Sequence, residues 1–146
     1  LFLLIAANTC SDYLTRSQSS DLVGKWKIEI TLENQTPRTL SLEAEESGKG
    51  SLMLEGSRSN WDEPAKPTQV KWIPQEGKRL VIVGPIEFPI GNVGREQGIL
   101  LFKGAFESEN RIKGELALFR MDQDPMDPNQ TPSKTGTFQA VRSGSK

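Results

Sequence analysis

A strict alternation of apolar and polar residues between Trp26 and Glu33 constrains this chain more than any other feature. The apolar members are Trp26, Ile28, Ile30 and Leu32, and charged residues or threonine lie between them. Successive side chains of a β-strand point to opposite faces, so the segment predicts a strand with one apolar and one charged face. Such a strand is stable when a sheet buries the apolar face and leaves the charged face in water.

The same period returns along the rest of the chain. We predict strands over residues 22–33, 38–46, 49–56, 68–73, 78–84, 97–107, 111–120 and 135–142. Consecutive short strands that are joined mostly by short turns favour an antiparallel meander. The predicted fold is therefore all-β, an eight-stranded antiparallel up-and-down barrel in which closure of the sheet removes its exposed edges.

Residues 1–10 are interpreted as a truncated signal peptide or lipoprotein anchor. The apolar run Leu1–Ala7 is too short to span a bilayer and is typical of the end of a signal-peptide hydrophobic region. A flexible Ser-rich tether then covers residues 11–21, the barrel domain 22–142 and a tail 143–146. The alternative is that Leu1–Ala7 forms an apolar strand packed on the core.

Cys10 is the candidate lipidation site, because it follows the apolar run and precedes the polar tether. Its surroundings resemble the lipobox of bacterial lipoproteins, which implies a membrane-anchored lipoprotein or a periplasmic location. Ordinary signal cleavage near Ala7 would instead leave a secreted protein with a free thiol. We expect contact with a membrane only through such an N-terminal anchor.

Composition excludes several functions. Lys and Arg number 18 against 19 Asp and Glu, which leaves no basic excess to follow a phosphate backbone, so no nucleic-acid partner is expected. The sequence has no His and one Cys, which removes the usual general base, catalytic triads and cysteine-rich zinc sites. We therefore expect a non-catalytic protein without cofactor or metal; an enzyme working from loop carboxylates ranks behind.

Gly24-Lys25-Trp26, at the start of the first predicted strand of an eight-stranded barrel, resembles the calycin superfamily of lipocalins, fatty-acid-binding proteins and avidins. The resemblance implies that Gly24, Trp26 and Arg142 close one end of the barrel, with the arginine of the last strand against the tryptophan. Residues 136–142, Gly-x-Phe-x-Ala-x-Arg, are similar to the ends of small exported bacterial barrels. The calycin resemblance implies a binding protein, whereas the similarity to small exported barrels implies no particular function.

The inward phase of the predicted strands carries no ionisable side chain. The candidate ligand-lining residues on this phase are Trp26, Ile28, Leu42, Trp72, Phe102, Phe106, Leu116 and Phe138. An eight-stranded barrel either encloses a small ligand or is filled by its own side chains. The first case gives an exported binding module for an apolar ligand, and the second a structural or protein-interaction barrel of the cell envelope.

Two predicted strands are apolar on both faces. Val81, Val83, Ile99 and Leu101 fall on the outward phase and predict an outer apolar patch. A patch of this kind is normally covered. Either the connection 86–93 folds over it, or the patch binds an envelope protein or a second copy of this chain.

Asp122, Asp124 and Asp127 lie in a Pro-rich segment, residues 121–134. Alternating carboxylates suit a hard cation such as Ca²⁺, although the spacing lacks the glycine and distal glutamate of an EF-hand. A solvated acidic loop is the preferred interpretation.

Overall fold

The predicted barrel is confirmed by the computed structural model, which describes residues 22–35, 37–55, 67–90 and 94–143, with the backbone alone at 88–90 and 94–96. The strands are β1 Gly24–Leu32, β2 Arg38–Ala44, β3 Lys49–Leu54, β4 Thr68–Gln75, β5 Arg79–Ile90, β6 Gly94–Ser108, β7 Arg111–Phe119 and β8 Lys134–Arg142. Each strand pairs with its sequence neighbours, and β1 pairs with β8. Within the described residues, no helix is long and apolar enough to cross a membrane.

Closure of the barrel brings the two ends of the domain together. Trp26 of β1 lies opposite Leu42 of β2 on one side and opposite Arg142 of β8 on the other. All pairings are antiparallel. The first and last strands are therefore hydrogen-bonded neighbours, and the start of the domain lies beside its end.

The alternation in β1 determines which side chains enter the core. Trp26, Ile28, Ile30 and Leu32 are buried, and the residues between them are exposed. Full burial of an aliphatic side chain such as Ile28 stabilises the fold by about 1.5–3 kcal/mol. The inward phases of the other strands join the same apolar cluster, which fills the centre of the barrel.

The β5–β6 hairpin is longer than its sequence predicts. Residues 85–96 read as a Gly/Pro-rich connection, but β5 continues to Ile90, which pairs with Gly94. The expectation that this connection folds over the outer patch is wrong for residues 86–90, because they continue the ladder and Ile86 belongs to the interior cluster.

The two prolines of β5 fit this longer ladder. Phe106 N–H donates to the carbonyl of Lys78 at 3.0 Å, so even-numbered residues of β5 direct their backbone polar groups toward β6. Pro85 and Pro89 are odd-numbered, and their nitrogens face the β4 side, where the ladder ends at Val83. Neither proline therefore removes a hydrogen bond of the β5–β6 ladder.

Two inward glycines allow strands β6, β7 and β8 to approach closely. Gly104 and Gly114 are opposite each other in the β6–β7 register. A Cβ on Gly104 would lie 2.6 Å from Cζ of Phe138, and one on Gly114 would lie 2.1 Å from the carbonyl oxygen of Lys103. Any larger residue would force the aromatic ring or the neighbouring strand to move.

We expect Gly104→Ala to destabilise the barrel by about 1–3 kcal/mol, since the added methyl group overlaps the Phe138 ring. Urea denaturation of the wild type and the variant measures the difference. Combining Gly104→Ala with Phe138→Leu, which removes the ring, should cost less than the sum of the two single substitutions. A neutral or stabilising Gly104→Ala would contradict the close packing, because it is the result expected from reduced chain entropy alone.

Candidate functional site

The predicted ligand-lining residues all face the barrel interior. Phe106 is partly buried, and the others are exposed by 3% or less: Trp26, Ile28, Leu42, Trp72, Phe102, Leu116 and Phe138. Among the residues that the structure describes, no polar or charged side chain is buried. The interior therefore offers apolar surface and dispersion contacts.

The middle of the barrel is packed by aromatic rings. Phe102 of β6 and Phe138 of β8 meet edge to face, with centroids 5.1 Å apart and an interplanar angle of 87°. The tip of Phe138 reaches Gly104, passing the level of Gly114 on the intervening strand. The Phe138 ring thus occupies the space that a side chain at position 104 would otherwise take.

Trp26 seals the end of the barrel at which β1 begins. Its indole N–H donates to the carbonyl of Leu22 at 2.7 Å. Phe106 approaches its ring nearly edge-on, at 6.1 Å between centroids. The guanidinium of Arg142 lies over the indole face, 4.3 Å from the ring centroid. The tryptophan is therefore held on several sides, with its ring covered by a cation.

Arg142 connects three segments at this closed end. Its Nη1 donates to the carbonyl of Val23 at 2.7 Å, its Nη2 to that of Glu109 at 3.1 Å, and its Nε to Oδ1 of Asn110 at 3.2 Å. Gly24 has φ +128°, and a Cβ there would lie 2.9 Å from Arg142 Nη1. The structure thus brings Gly24, Trp26 and Arg142 together in one closing arrangement.

Trp72 has a similar anchoring position. Its indole N–H is shared between the carbonyls of Glu45, at 3.1 Å, and Lys49, at 3.0 Å. These carbonyls flank the β2–β3 turn, which lies at the same end of the barrel as Gly24 because Gly24 pairs with Ala44. Trp26 and Trp72 therefore close and brace this end, a role that their inward phase alone does not indicate.

The predicted outer patch is a distinct second cluster. Val81 is 2% exposed and Leu101 5% exposed, and Val83 and Ile99 are partly buried beside them. Phe119 belongs to the same cluster and is 5% exposed. The sequence prediction missed this residue, although the adjacent apolar pair Leu118-Phe119 signals a strand that is apolar on both faces. The centre of the patch is thus largely covered by the chain itself.

The β7–β8 connection, residues 120–133, is ordered by its own hydrogen bonds. Asp124 and Asp127 accept from the backbone N–H groups of Met126, at 3.0 Å, and Asn129, at 2.9 Å, as aspartates do in turns. The side-chain amide of Gln123 donates to the carbonyl of Thr131 at 3.0 Å. The carboxylates of Asp124 and Asp127 thus stabilise turns of the loop. Over the described part of the chain, no group of three side chains that could bind a metal ion occurs.

An open groove of about 640 Å³ separates this loop from the outer face of β6–β8; we call it the outer groove. Its apolar residues are Leu101, Ala117, Phe119, Pro125, Met126, Pro128 and Pro132, and it is also bordered by Leu116, whose side chain belongs to the interior cluster. Its charged residues are Glu33, Lys103, Glu115 and Asp127, and the remaining lining residues are Gln130, Thr135, Gly136 and Thr137. No sequence pattern joins these residues, because strands β6, β7 and β8, the β7–β8 loop and Glu33 after β1 all contribute them.

Cys10 lies outside the described residues, so its lipidation stays a prediction.

Fold and interior together define the class, a closed eight-stranded all-antiparallel β-barrel with an apolar interior. Among solved structures, a redesigned β-barrel resembles it with a TM-score of 0.52 and 11% sequence identity, covering 86% of this chain and 94% of that one. At this identity the likeness shows the fold alone. No protein-family model matches the chain, and no curated protein matches its sequence significantly.

Replacement of Arg142 by alanine should lower the free energy of unfolding by about 2 kcal/mol or more, because it removes a cation–π contact and three hydrogen bonds. Arg142→Lys should recover little of the lost stability, since an ammonium group lacks the planar shape and the several N–H donors of a guanidinium. Denaturation followed by tryptophan fluorescence measures both. Arg111→Ala, an exposed arginine on the neighbouring strand, is the control and should change stability by less than about 0.5 kcal/mol. Equal losses at positions 111 and 142 would rule out a special closing contact.

Proposed function

We propose that this chain is an exported, non-catalytic binding module that uses its barrel as a packed scaffold and meets a protein of the cell envelope through its outer surface. The observation that carries the proposal is the contact of Phe138 with Phe102 and Gly104. Aromatic rings occupy the middle of the barrel, where a ligand of a hollow barrel would sit. The binding surface of the module would then lie on the outer face of the barrel.

The chemistry of the interior supports a non-catalytic role. General acid–base catalysis requires an ionisable group held in a protected environment. The described interior consists of apolar side chains, and the whole chain contains no His. Export is supported by the apolar run Leu1–Ala7, and Cys10 after it is the residue at which a lipid would tie the module to a membrane.

The second candidate function is the binding of a small apolar ligand inside a calycin-like barrel. Two observations favour it: the inward surface is apolar, and Arg142 covers Trp26 at one end, as the lipocalin resemblance implies. A ligand in the middle of the barrel would have to displace the Phe102–Phe138 contact. This requirement places the candidate second.

Native mass spectrometry of the protein purified from its own host distinguishes the two candidates. We expect the bare mass of the chain, with or without a lipid on Cys10, because the aromatic rings fill the middle of the barrel. A non-covalently bound lipid or other apolar molecule at fixed stoichiometry would overturn the filled-scaffold proposal.

A variant with an enlarged interior is the positive control for this experiment. Phe102→Ala removes a ring that is fully buried and should open a cavity for a small apolar probe such as benzene. We expect benzene to raise the melting temperature of the variant and to leave that of the wild type unchanged. Equal stabilisation of both proteins would indicate that the wild-type barrel already has room for a ligand.

Self-association through Val81, Val83, Ile99 and Leu101 is a separate question. Val81 and Leu101 keep 2% and 5% of their surface exposed, which leaves little apolar area at the centre of the patch for a second copy. We therefore expect the protein to sediment as a monomer in velocity ultracentrifugation at micromolar concentration. A dimer that dissociates in the variant Ile99→Lys would assign the patch to a homodimer interface instead.

A further inference from the structure

We propose that the outer groove binds a short segment of a partner protein that combines apolar side chains with lysine or arginine. This inference rests on the proposed function, because it names the part of the outer surface that makes contact and the chemistry of the partner. It is carried by the composition of the groove, its charge and its openness to solvent.

The apolar part of the groove is suited to side-chain anchors. Leu101 and Phe119, each 5% exposed, lie beneath the groove and offer little surface to a partner. The accessible apolar surface comes instead from Ala117 on the sheet and from the prolines of the loop, Pro125, Pro128 and Pro132. Met126 on the loop side is 50% exposed, so half of its apolar side chain is accessible to a partner. Methionine adapts its shape to different partners, so this wall accepts a range of apolar residues.

The charged residues of the groove indicate the sign of the charge that a partner should carry. Three of the lining side chains are carboxylates, and one is a lysine. Lys103 lies opposite Glu115 in the β6–β7 register, so its charge is partly balanced within the sheet. Glu33 accepts a hydrogen bond from the hydroxyl of Thr135, which holds its carboxylate at the groove. The remaining negative charge favours a partner that carries cations.

The openness of the groove favours a protein segment over a small molecule. Small-molecule sites bury most of their ligand in a concave pocket, whereas this groove is open to solvent along the outside of the barrel. A protein partner covers an open groove with its own surface, and a buried apolar centre with a polar rim is the usual anatomy of such interfaces. The loop needs no large rearrangement, because Asp124, Asp127 and Gln123 already hold its turns.

Selection of random linear peptides on phage against the full chain tests this proposal. Enriched peptides should carry a net positive charge together with apolar residues, and their affinity should fall as salt is added. Glu115→Lys should weaken binding of the enriched peptides by about tenfold, since it reverses a charge in the groove. Met126→Ser should weaken it as well, through loss of an apolar contact.

Glu43→Lys is the matched control, because Glu43 is an exposed glutamate on the outward face of β2, away from the groove. Its charge change equals that of Glu115→Lys, so a site-specific effect requires that this variant bind the peptides as the wild type does. Equal weakening by the two variants would reduce the effect to overall charge and overturn the proposal. Urea denaturation of each variant verifies that the barrel is intact.

Three further outcomes overturn one proposal at a time. If no peptide is enriched, or if enriched peptides are neutral or acidic, the groove proposal is wrong. If enriched peptides bind wild type, Glu115→Lys and Met126→Ser equally, another part of the outer surface holds them, and the proposed function survives without the groove. An apolar molecule found inside the barrel by native mass spectrometry overturns the filled-scaffold function, whatever the groove binds.

Discussion

The ladder between β1 and β8 is the interaction on which the rest of the structure depends. It runs from the pair Trp26 and Arg142 to the pair Leu32 and Gly136, and it turns a meander into a closed barrel. If β1 and β8 were separated, the sheet would have two edges with unpaired backbone groups and an apolar face open to water. Closure satisfies the hydrogen bonds and buries the apolar face in the same step.

The aromatic side chains divide the interior into two parts. At the closed end, Trp26 and Trp72 direct their indole N–H groups to backbone carbonyls, so their polar atoms are satisfied where the chain turns. In the middle, Phe102 and Phe138 have no polar atom and pack against each other. This division explains how a core that contains two tryptophans satisfies their polar atoms.

The outer surface is uneven because strands β5, β6 and β7 carry apolar residues on both faces. Val81, Leu101 and Phe119 form a satellite cluster, and the loop 120–133 leaves the outer groove beside it. The loop keeps its shape through hydrogen bonds of its own aspartates and Gln123. Because these bonds order the loop, the groove is preformed, and the docking that we propose there would not first have to organise a disordered segment.

Local periodicity was enough to predict the strands and their inward faces. Side chains of a strand alternate between the two faces of the sheet with a period of two residues, so the apolar residues around Ile28 and Ile30 identify the buried face of their strand. The prediction of a connection is wrong at residues 85–90 and 94–96, where the prolines do not interrupt the β5–β6 ladder. Whether proline breaks a ladder depends on which neighbour its nitrogen faces, and that is a property of the sheet.

The sequence by itself determined the number of strands, the apolar character of the interior and the absence of a histidine-based site. Tertiary structure alone decided how the interior is packed and where the outer groove lies. Phe138 reaches Gly104 from a strand two places away, and the groove joins Glu33 to Asp127. These contacts depend on register and closure between distant segments, which no short stretch of sequence encodes.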